Sequence, residues 1–248
     1  MVRKTIGIVG GVGPQAGIDL QSKIIRFTEA SKDQEHLSVV HVSFSCQIGD
    51  RSEYLLAPES QPNPGEAVYK VIELLFRSGA QVIGIPCNTC HAPPIFDPMR
   101  DRVARELGPE IKLLHMIEEV CKVARAGGFH KIGLLATQGS YNSNLYVDIF
   151  REQDIEILHP KTEAQCRRVH SSIYDPKFGI KANSGKPDNE FARNILLSEA
   201  DILVSRGAQA IIMGCTEIPL VLRENELSVP VFDATAILAQ ALVSQAMD

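Results

Sequence analysis

The feature that most constrains the fold is an internal echo between two distant segments of the chain. SGAQVIGIPCNT (78–89) aligns without a gap to RGAQAIIMGCTE (206–217). In each segment Gly-Ala-Gln leads into an apolar run and then a cysteine, eight residues after the glycine. The earlier runs KTIGI (4–8) and KIGL (131–134) also match, and their glycines precede the two cysteines by 80 and 82 residues. The chain is therefore predicted to contain two related halves.

Short β-branched runs alternate with longer helical stretches in both halves. The runs that predict strands are TIGIVGG, SVVHVSF, QVIGIP, KIGLLAT, EIL, AQAIIMG and VPVFD. Helical patterns separate them, for example at 15–31 and 141–153. Strands that alternate with helices are typical of parallel sheets. The predicted fold is α/β, with two pseudo-symmetric parallel-sheet domains.

The repeat also predicts where the chain crosses between these domains. A short strand and a helix follow each cysteine segment, and the strands are EIKLLH (110–115) and SVPVFD (228–233). We expect the last strand and helix to return to the first domain. The predicted first domain is then discontinuous, 1–108 plus 226–248, and the second domain is 109–225.

The two echoed cysteines, Cys87 and Cys215, each follow an apolar strand. Ligands of parallel sheets bind beyond the carboxyl ends of the strands. If the two halves face each other, the cysteines stand on opposite walls of one cleft, where we expect the active site. A single cysteine at a strand end is often only a buried packing residue, but the same placement in both halves favours a functional role.

The run Cys87-Asn88-Thr89-Cys90-His91 spells C-x-x-C-H, which also occurs in haem attachment, zinc and redox sites. Structural zinc normally needs a second ligand pair at similar spacing, and the other cysteines are isolated. A thioredoxin-like pair should begin a helix after one βαβ unit, whereas this one comes later. The repeat echoes only Cys87, because Ile218 aligns with Cys90. We therefore interpret Cys90 as a packing residue and predict no metal.

Composition excludes several classes of function. The net charge is −5, and lysines and arginines are scattered rather than clustered, so a nucleic-acid partner is not expected. No apolar run approaches the ~20 residues that cross a bilayer. The start, MVRKTIGIVGG, lacks the apolar core of a signal peptide. We expect a cytoplasmic protein with reduced cysteines and no membrane partner.

A thiol on each side of a substrate carbon suits the inversion of a stereocentre. One cysteine, as a thiolate, removes the proton, and the other, as a thiol, delivers a proton to the opposite face. Thiol pKa values lie close enough to neutrality for both forms to take part. The segments after the cysteines are predicted to start helices, whose N-termini, with Asn88, Thr89 and Thr216, can hold a carboxylate.

Four motifs in this order resemble the aspartate/glutamate racemase family, nearest its aspartate racemase branch. They are GIVGGVGP (7–14), Asp50-Arg51-Ser52, PCNTCH (86–91) and GCTEIPL (214–220). The resemblance covers essentially the whole chain. It implies amino-acid racemisation without a cofactor, two α/β domains with the active site between them, and a homodimer acting on a small amino-acid substrate. Its catalytic cysteines match Cys87 and Cys215.

The resemblance also implies substrate contacts. The carboxylate-binding residues of the family match Asn88, Thr89 and Thr216, and its substrate-binding arginine matches Arg51, which can hold a side-chain carboxylate bidentately. Without the resemblance, the Asp-Arg pair would be interpreted as an ordinary surface pair, with Arg51 an exposed partner of Asp50 or Glu53. The branch carries a lysine in an Ile-Tyr-x-x-x-Lys-x-Gly stretch.

In this chain IYDPKFG (173–179) is one residue shorter, so Lys177 is the predicted equivalent and Lys181 the alternative. The segment 174–187, rich in Gly, Pro and Lys, is a candidate lid.

Two further features allow more than one interpretation. Gly11-x-Gly13-x-x-Ala16 follows a strand, as in dinucleotide-binding folds, but the second strand lacks the expected acidic end. We predict instead a tight turn whose N–H groups line the substrate pocket, with Gly11 and Gly13 as binding residues. Glu217 is either a hydrogen-bonding neighbour of Cys215 or an ordinary first-turn acid.

The predicted function is inversion of the Cα of an acidic amino acid, with aspartate preferred. The alternatives are a glutamate or broad-specificity racemase of the same family, and a protein that binds acidic metabolites without turning them over.

Overall fold

The computed structural model describes residues 3–183 and 189–248, and within these ranges the strands form two parallel sheets. The strands are β1 (Thr5–Gly10), β2 (Val39–Ser43), β3 (Ala80–Gly84), β4 (Lys112–Leu113), β5 (Lys131–Ala136), β6 (Glu156–Leu158), β7 (Ala210–Gly214) and β8 (Val231–Asp233). The order in the first sheet is β2-β1-β3-β4, and in the second it is β6-β5-β7-β8. The two sheets therefore have the same topology, and the predicted α/β fold is confirmed.

Helices connect the strands. They are α1 (Pro14–Phe27), α2 (Arg51–Leu56), α3 (Pro64–Arg77), α4 (Pro93–Glu106), α5 (Met116–Ala126), α6 (Gln138–Asn142), α7 (Leu145–Arg151), α8 (Glu163–Tyr174), α9 (Glu190–Ser205) and α10 (Ala234–Met247). Proline begins α1, α3 and α4, where its fixed φ suits the first helical position and its missing N–H costs nothing.

The close approach of side chains from the neighbouring strand explains two equivalent glycines. A Cβ on Gly7 of β1 would lie 2.9 Å from the Cβ of Ala80, and one on Gly133 of β5 would lie 2.5 Å from the side chain of Ile211. The residues of β1 and β5 after their first are buried. Each half thus has an apolar core around its own sheet.

The chain divides into two compact units, of which the first is the segment up to Glu119 together with Thr235–Asp248 and the second is Val120–Ala234. Hydrogen-bond pairing places β4 beside β3 in the first sheet and β8 beside β7 in the second. The expectation that the last strand returns to the first unit is therefore wrong, and only α10 does so. The predicted boundaries at 108 and 226 assigned each short strand to the unit after it, whereas its parallel partner is the strand before it.

In the described part of the chain, every helix is too short or too polar to cross a membrane.

Candidate functional site

Cys87 lies just beyond the carboxyl end of β3, at the start of a 3-10 helix, Asn88–His91. The N–H of Cys90 donates to the carbonyl of Cys87 at 3.2 Å, which closes the turn. Asn88 and Thr89 are buried. Ile8 in β1 pairs with Gly84 in β3, so the loops that follow these two strands leave the same end of the sheet.

The ring of His91 folds back onto this turn. Its Nδ1 lies 2.9 Å from the carbonyl oxygen of Cys87, and since a carbonyl only accepts, Nδ1 carries the proton. The ring stacks on Phe96 at 5.0 Å and meets His115 edge-on at 4.8 Å. Burial, reinforced by the neighbouring His115, lowers the pKa of His91 to about 3. His91 is therefore neutral near neutral pH and fixes the backbone that carries Cys87.

Cys90 is fully buried in the core cluster that also contains Cys87. Its burial agrees with the prediction that it is a packing residue. Its thiol is, however, hydrogen-bonded to the side chain of Cys87, and this bond together with burial raises the pKa of Cys90 well above its usual value. The sequence repeat gave no sign of this contact, because Cys90 has no counterpart in the second half.

The loop after β1 is a tight turn that approaches the loop after β2. Gly11 has φ +85°, and a Cβ there would lie 2.7 Å from the backbone nitrogens of Phe44 and Ser45. Glycine is therefore required for both conformation and space. Gly13 is the N-cap residue of α1.

Arg51, the first residue of α2, joins these loops and is buried. Its Nη1 donates to the carbonyl of Gly49 at 3.0 Å, and its Nη2 donates to the carbonyl of Val12. Its charge also acts on the pKa of Cys90, which it lowers. Asp50 caps α2 by accepting from the N–H groups of Ser52 and Glu53. Arg51 is thus a buried cation near the turn of Cys87, and the alternative of a surface residue is excluded.

Cys215 occupies the equivalent position in the second unit, just after β7. The N–H of Ile218 donates to its carbonyl at 3.0 Å, which closes a turn like that of Cys87. Thr216 and Glu217 are buried, and the helix that follows is a 3-10 turn, Ile218–Leu220. The helix that follows each cysteine is therefore a 3-10 turn of only three or four residues. These short turns have little dipole, so a carboxylate held here would depend on side chains and individual N–H groups.

The two candidate lysines have different surroundings. Lys177 is exposed, and its backbone N–H donates to Asp175 at the end of α8. Lys181 is partly buried, with its Nζ 3.6 Å from Oε1 of Glu217 and 4.8 Å from the ring centre of Tyr174. The chain geometry therefore places Lys181, and not Lys177, beside the Cys215 turn. The candidate lid 174–187 extends beyond the described residues at 184–187.

Sequence reasoning missed the polar loop after β5. Thr137 and Ser140 are buried, and Thr137 caps α6 by accepting from the N–H of Ser140. Ala136 of β5 pairs with Gly214 of β7, so this loop leaves the same end of the sheet as Cys215. Burial raises the pKa of Tyr146 well above its usual value, and the nearby Cys215 raises it further. The match of KIGL to KTIGI could have located this loop, since it corresponds to the Gly11–Gly13 turn.

Each unit therefore collects its own set of predicted residues at the carboxyl end of its sheet. The first set is Gly11, Gly13, Arg51, Cys87, Asn88 and Thr89. The second set is Cys215, Thr216 and Glu217, to which Lys181 is added in place of Lys177. Within residues 3–183 and 189–248, no group of three or more His, Cys, Asp or Glu side chains is arranged to hold a metal ion.

The chain is similar to known racemases over almost its whole length. It is 24% identical over 243 residues to the broad specificity amino-acid racemase RacX of Bacillus subtilis, covering 96% of both chains. The structure of an aspartate racemase from Picrophilus torridus matches with a TM-score of 0.79 and 27% identity, covering 98% of this chain and 94% of that one. A glutamate racemase from Francisella tularensis shares the fold, with a TM-score of 0.69 and 16% identity, covering 100% of this chain and 82% of that one.

The profile of the Asp/Glu/Hydantoin racemase family matches residues 9–242. The match includes strands of both sheets and both cysteine turns. The chain therefore belongs to the Asp/Glu/Hydantoin racemase family and is an isomerase of the racemase type.

Proposed function

We propose that this enzyme inverts the Cα of aspartate without pyridoxal phosphate, with Cys87 and Cys215 as the two proton-transfer groups. The observation that carries the proposal is the equivalent position of the two cysteines. Each follows the third strand of its unit in chain order, each is 8% exposed, and each begins a turn closed by the N–H three residues later. The aspartate racemase from Picrophilus torridus, at 27% identity, supports aspartate as the substrate.

In the proposed reaction both cysteines act on the Cα of the α-amino acid. One cysteine, as a thiolate, takes the proton from Cα, and the other, as a thiol, gives a proton to the opposite face. The reverse reaction exchanges the roles. The α-carboxylate accepts hydrogen bonds from Asn88, Thr89 and Thr216, which are buried beside the cysteines and stabilise the developing negative charge.

The side-chain carboxylate of aspartate needs a cation, and Arg51 and Lys181 are the candidates. Arg51 is held in place by the carbonyls of Gly49 and Val12, and its planar set of N–H donors suits a carboxylate. Lys181 is held beside Cys215 by Glu217. We assign Arg51 to the side-chain carboxylate and Lys181 to the same end of the substrate, with Glu217 positioning Lys181. Gly11 and Gly13 supply backbone N–H groups to the pocket.

The test is racemisation in deuterated water with each cysteine replaced in turn. The wild type should incorporate deuterium at Cα from either enantiomer of aspartate. Cys87→Ser and Cys215→Ser should each lose racemisation by at least about 100-fold, the scale on which proton-transfer groups contribute. Cys46→Ser is the matched control, because Cys46 is exposed and outside both turns.

A second substrate separates the two roles. Elimination of chloride from a β-chlorinated aspartate needs proton removal on one face only. Each single variant should therefore keep elimination with one enantiomer and lose it with the other, in opposite senses. If both serine variants racemised aspartate at the wild-type rate, the two-cysteine mechanism would be wrong.

A broader substrate range is the second candidate, because the similar Bacillus subtilis protein is a broad specificity racemase. A chiral assay across the enantiomers of aspartate, glutamate, asparagine and neutral amino acids separates the two. A preference for aspartate over glutamate supports the first proposal, and comparable kcat/KM values across the panel support the second. A protein that only binds acidic amino acids would show heat of binding by calorimetry and no turnover.

We further propose that the enzyme is a homodimer, as the family resemblance implies, and that it is located in the cytoplasm. Light scattering of the purified protein measures the assembly, and fractionation of cells that express it measures the location.

A further inference from the structure

The turn after β3 brings two thiols together. The hydrogen bond from the N–H of Cys90 to the carbonyl of Cys87, at 3.2 Å, closes a turn that spans positions i to i+3. Such turns hold their end Cα atoms within about 7 Å, and a disulfide needs about 4.4–6.8 Å. The two side chains are hydrogen-bonded to each other and belong to one buried cluster. A bond between them therefore requires only a small adjustment of the side chains.

The two thiols differ in access to solvent. Cys87 is 8% exposed and Cys90 is 0% exposed. A small oxidant that diffuses in from water thus meets Cys87 first. The hydrogen bond to Cys87 and burial raise the pKa of Cys90, so Cys90 is present as a thiol that still holds its proton.

We propose that Cys87 and Cys90 are a redox modification site, which hydrogen peroxide or another small peroxide converts into a reversible disulfide. In the first step the Cys87 thiolate attacks peroxide, an S–O bond forms, the O–O bond breaks and hydroxide leaves to become water. In the second step the Cys90 sulfur attacks the Cys87 sulfur, the S–S bond forms and the S–O bond breaks. The proton of Cys90 leaves with the hydroxyl group as a second water. Overall two thiols are oxidised, and one peroxide is reduced to two waters.

This reaction protects Cys87 as well as blocking it. A sulfenic acid with no thiol beside it reacts with more peroxide to a sulfinic acid, which ordinary thiols do not reduce. Cys90 traps the sulfenic acid first, and a dithiol reductant restores both cysteines. The loss of racemisation on oxidation rests on the proposed role of Cys87, whereas the formation of the disulfide does not.

The experiment compares the wild type with Cys90→Ala after treatment with hydrogen peroxide. Peptide mass mapping, with alkylation before and after reduction, identifies the state of each cysteine. In the wild type we expect the peptide with Cys87 and Cys90 to be lighter by two hydrogens, to resist alkylation until reduced, and to regain racemase activity with dithiothreitol. In Cys90→Ala we expect sulfinic acid at Cys87 after treatment, and a loss of activity relative to the untreated variant that dithiothreitol does not reverse.

Two controls keep the test decisive. Cys121→Ala removes another buried cysteine and should behave like the wild type, and thermal unfolding checks that each variant is folded. Cys215→Ser should still form the Cys87–Cys90 bond, which the mass map detects without any activity.

The proposal is overturned if wild-type Cys87 goes to sulfinic acid as readily as in Cys90→Ala, or if its disulfide partner is another cysteine. If the disulfide forms but racemisation persists, the inhibitory effect and the proposed role of Cys87 both fail, while the disulfide stands.

Discussion

Replacement of His91 by asparagine removes a buried histidine whose protonation should limit stability in acid. The pKa of His91 falls from 6.5 to about 3 on folding because the ring is buried beside His115. Between pH 3 and pH 6.5 the unfolded chain therefore binds a proton at His91 that the folded protein does not bind. The free energy of unfolding consequently rises with pH across this range. The contribution of His91 is complete above pH 6.5 and is lost progressively as pH falls below it.

As long as the folded His91 ring is neutral, the change in the free energy of unfolding depends only on the pKa of His91 in the unfolded chain. At pH 5 the unfolded histidine is protonated, and each pH unit below 6.5 lowers the free energy of unfolding by ~1.4 kcal/mol. Because of His91, the free energy of unfolding is therefore ~2 kcal/mol lower at pH 5 than at pH 7.5. Asparagine keeps an N–H donor near the position of Nδ1, which bonds the Cys87 carbonyl, but it does not titrate. The variant should lose ~1–3 kcal/mol at pH 7.5 through lost packing against Phe96.

The assay is urea unfolding of the wild type and of His91→Asn at pH 7.5 and pH 5. The fall in free energy of unfolding between the two pH values should be ~2 kcal/mol smaller in the variant. His130→Asn replaces an exposed histidine and controls for any general effect of removing one. If His91→Asn and the wild type lose the same free energy of unfolding between the two pH values, then His91 is not a buried group that stays neutral at pH 5.

Two further substitutions test the site and the turn after β1. Lys181→Met should raise the KM for aspartate by about 10- to 100-fold, the range expected for a lost hydrogen bond to a charged group. Lys177→Met should change it by less than about 2-fold because Lys177 is exposed, and equal effects in steady-state kinetics would contradict the assignment. Gly11→Ala should lower the free energy of unfolding by ~3 kcal/mol or more, since it combines φ +85° with backbone atoms at 2.7 Å. Gly79→Ala, with φ +88° and open space around it, should lose only ~1–2 kcal/mol in the same urea titration, and the reasoning fails if it loses as much.

The echo of one half in the other made the sheets predictable. Strand, glycine and cysteine positions recur at nearly fixed spacing, and each buried strand needs an apolar run whatever surrounds it. The helix predicted over 141–153 is instead broken, because Asn144 adopts φ +51° between α6 and α7. Asparagine tolerates that conformation, but its presence alone does not require it. The pairing of β4 could not be predicted from the sequence either, because a strand of two residues is too short to show a periodic pattern. Its partner is determined by hydrogen bonds in the folded protein.

The candidate site also contains some residues that the sequence could predict and others that only the folded chain shows. The repeat could single out Cys87 and Cys215, because it compares positions across the halves. It could not identify His91 or Cys90 as partners of Cys87, because both interactions depend on how the chain folds back after β3. The choice of Lys181 over Lys177 is of the same kind. It follows from where α8 ends and how the next residues approach Glu217, which spacing along the chain does not determine.

The two cysteine turns share a backbone but not a chemistry. In both, the N–H three residues on donates to the cysteine carbonyl. In the first turn that residue is Cys90 and the next is His91, whereas Ile218 and Pro219 hold the same positions in the second. Cys87 is thus followed in its turn by a thiol and an imidazole, whereas Cys215 is followed at the same positions by a buried aliphatic side chain and a proline. The duplicated fold supplies two similar sulfurs for inversion. Because the second turn has no thiol at the position of Cys90, the proposed reaction with peroxide is expected only in the turn of Cys87.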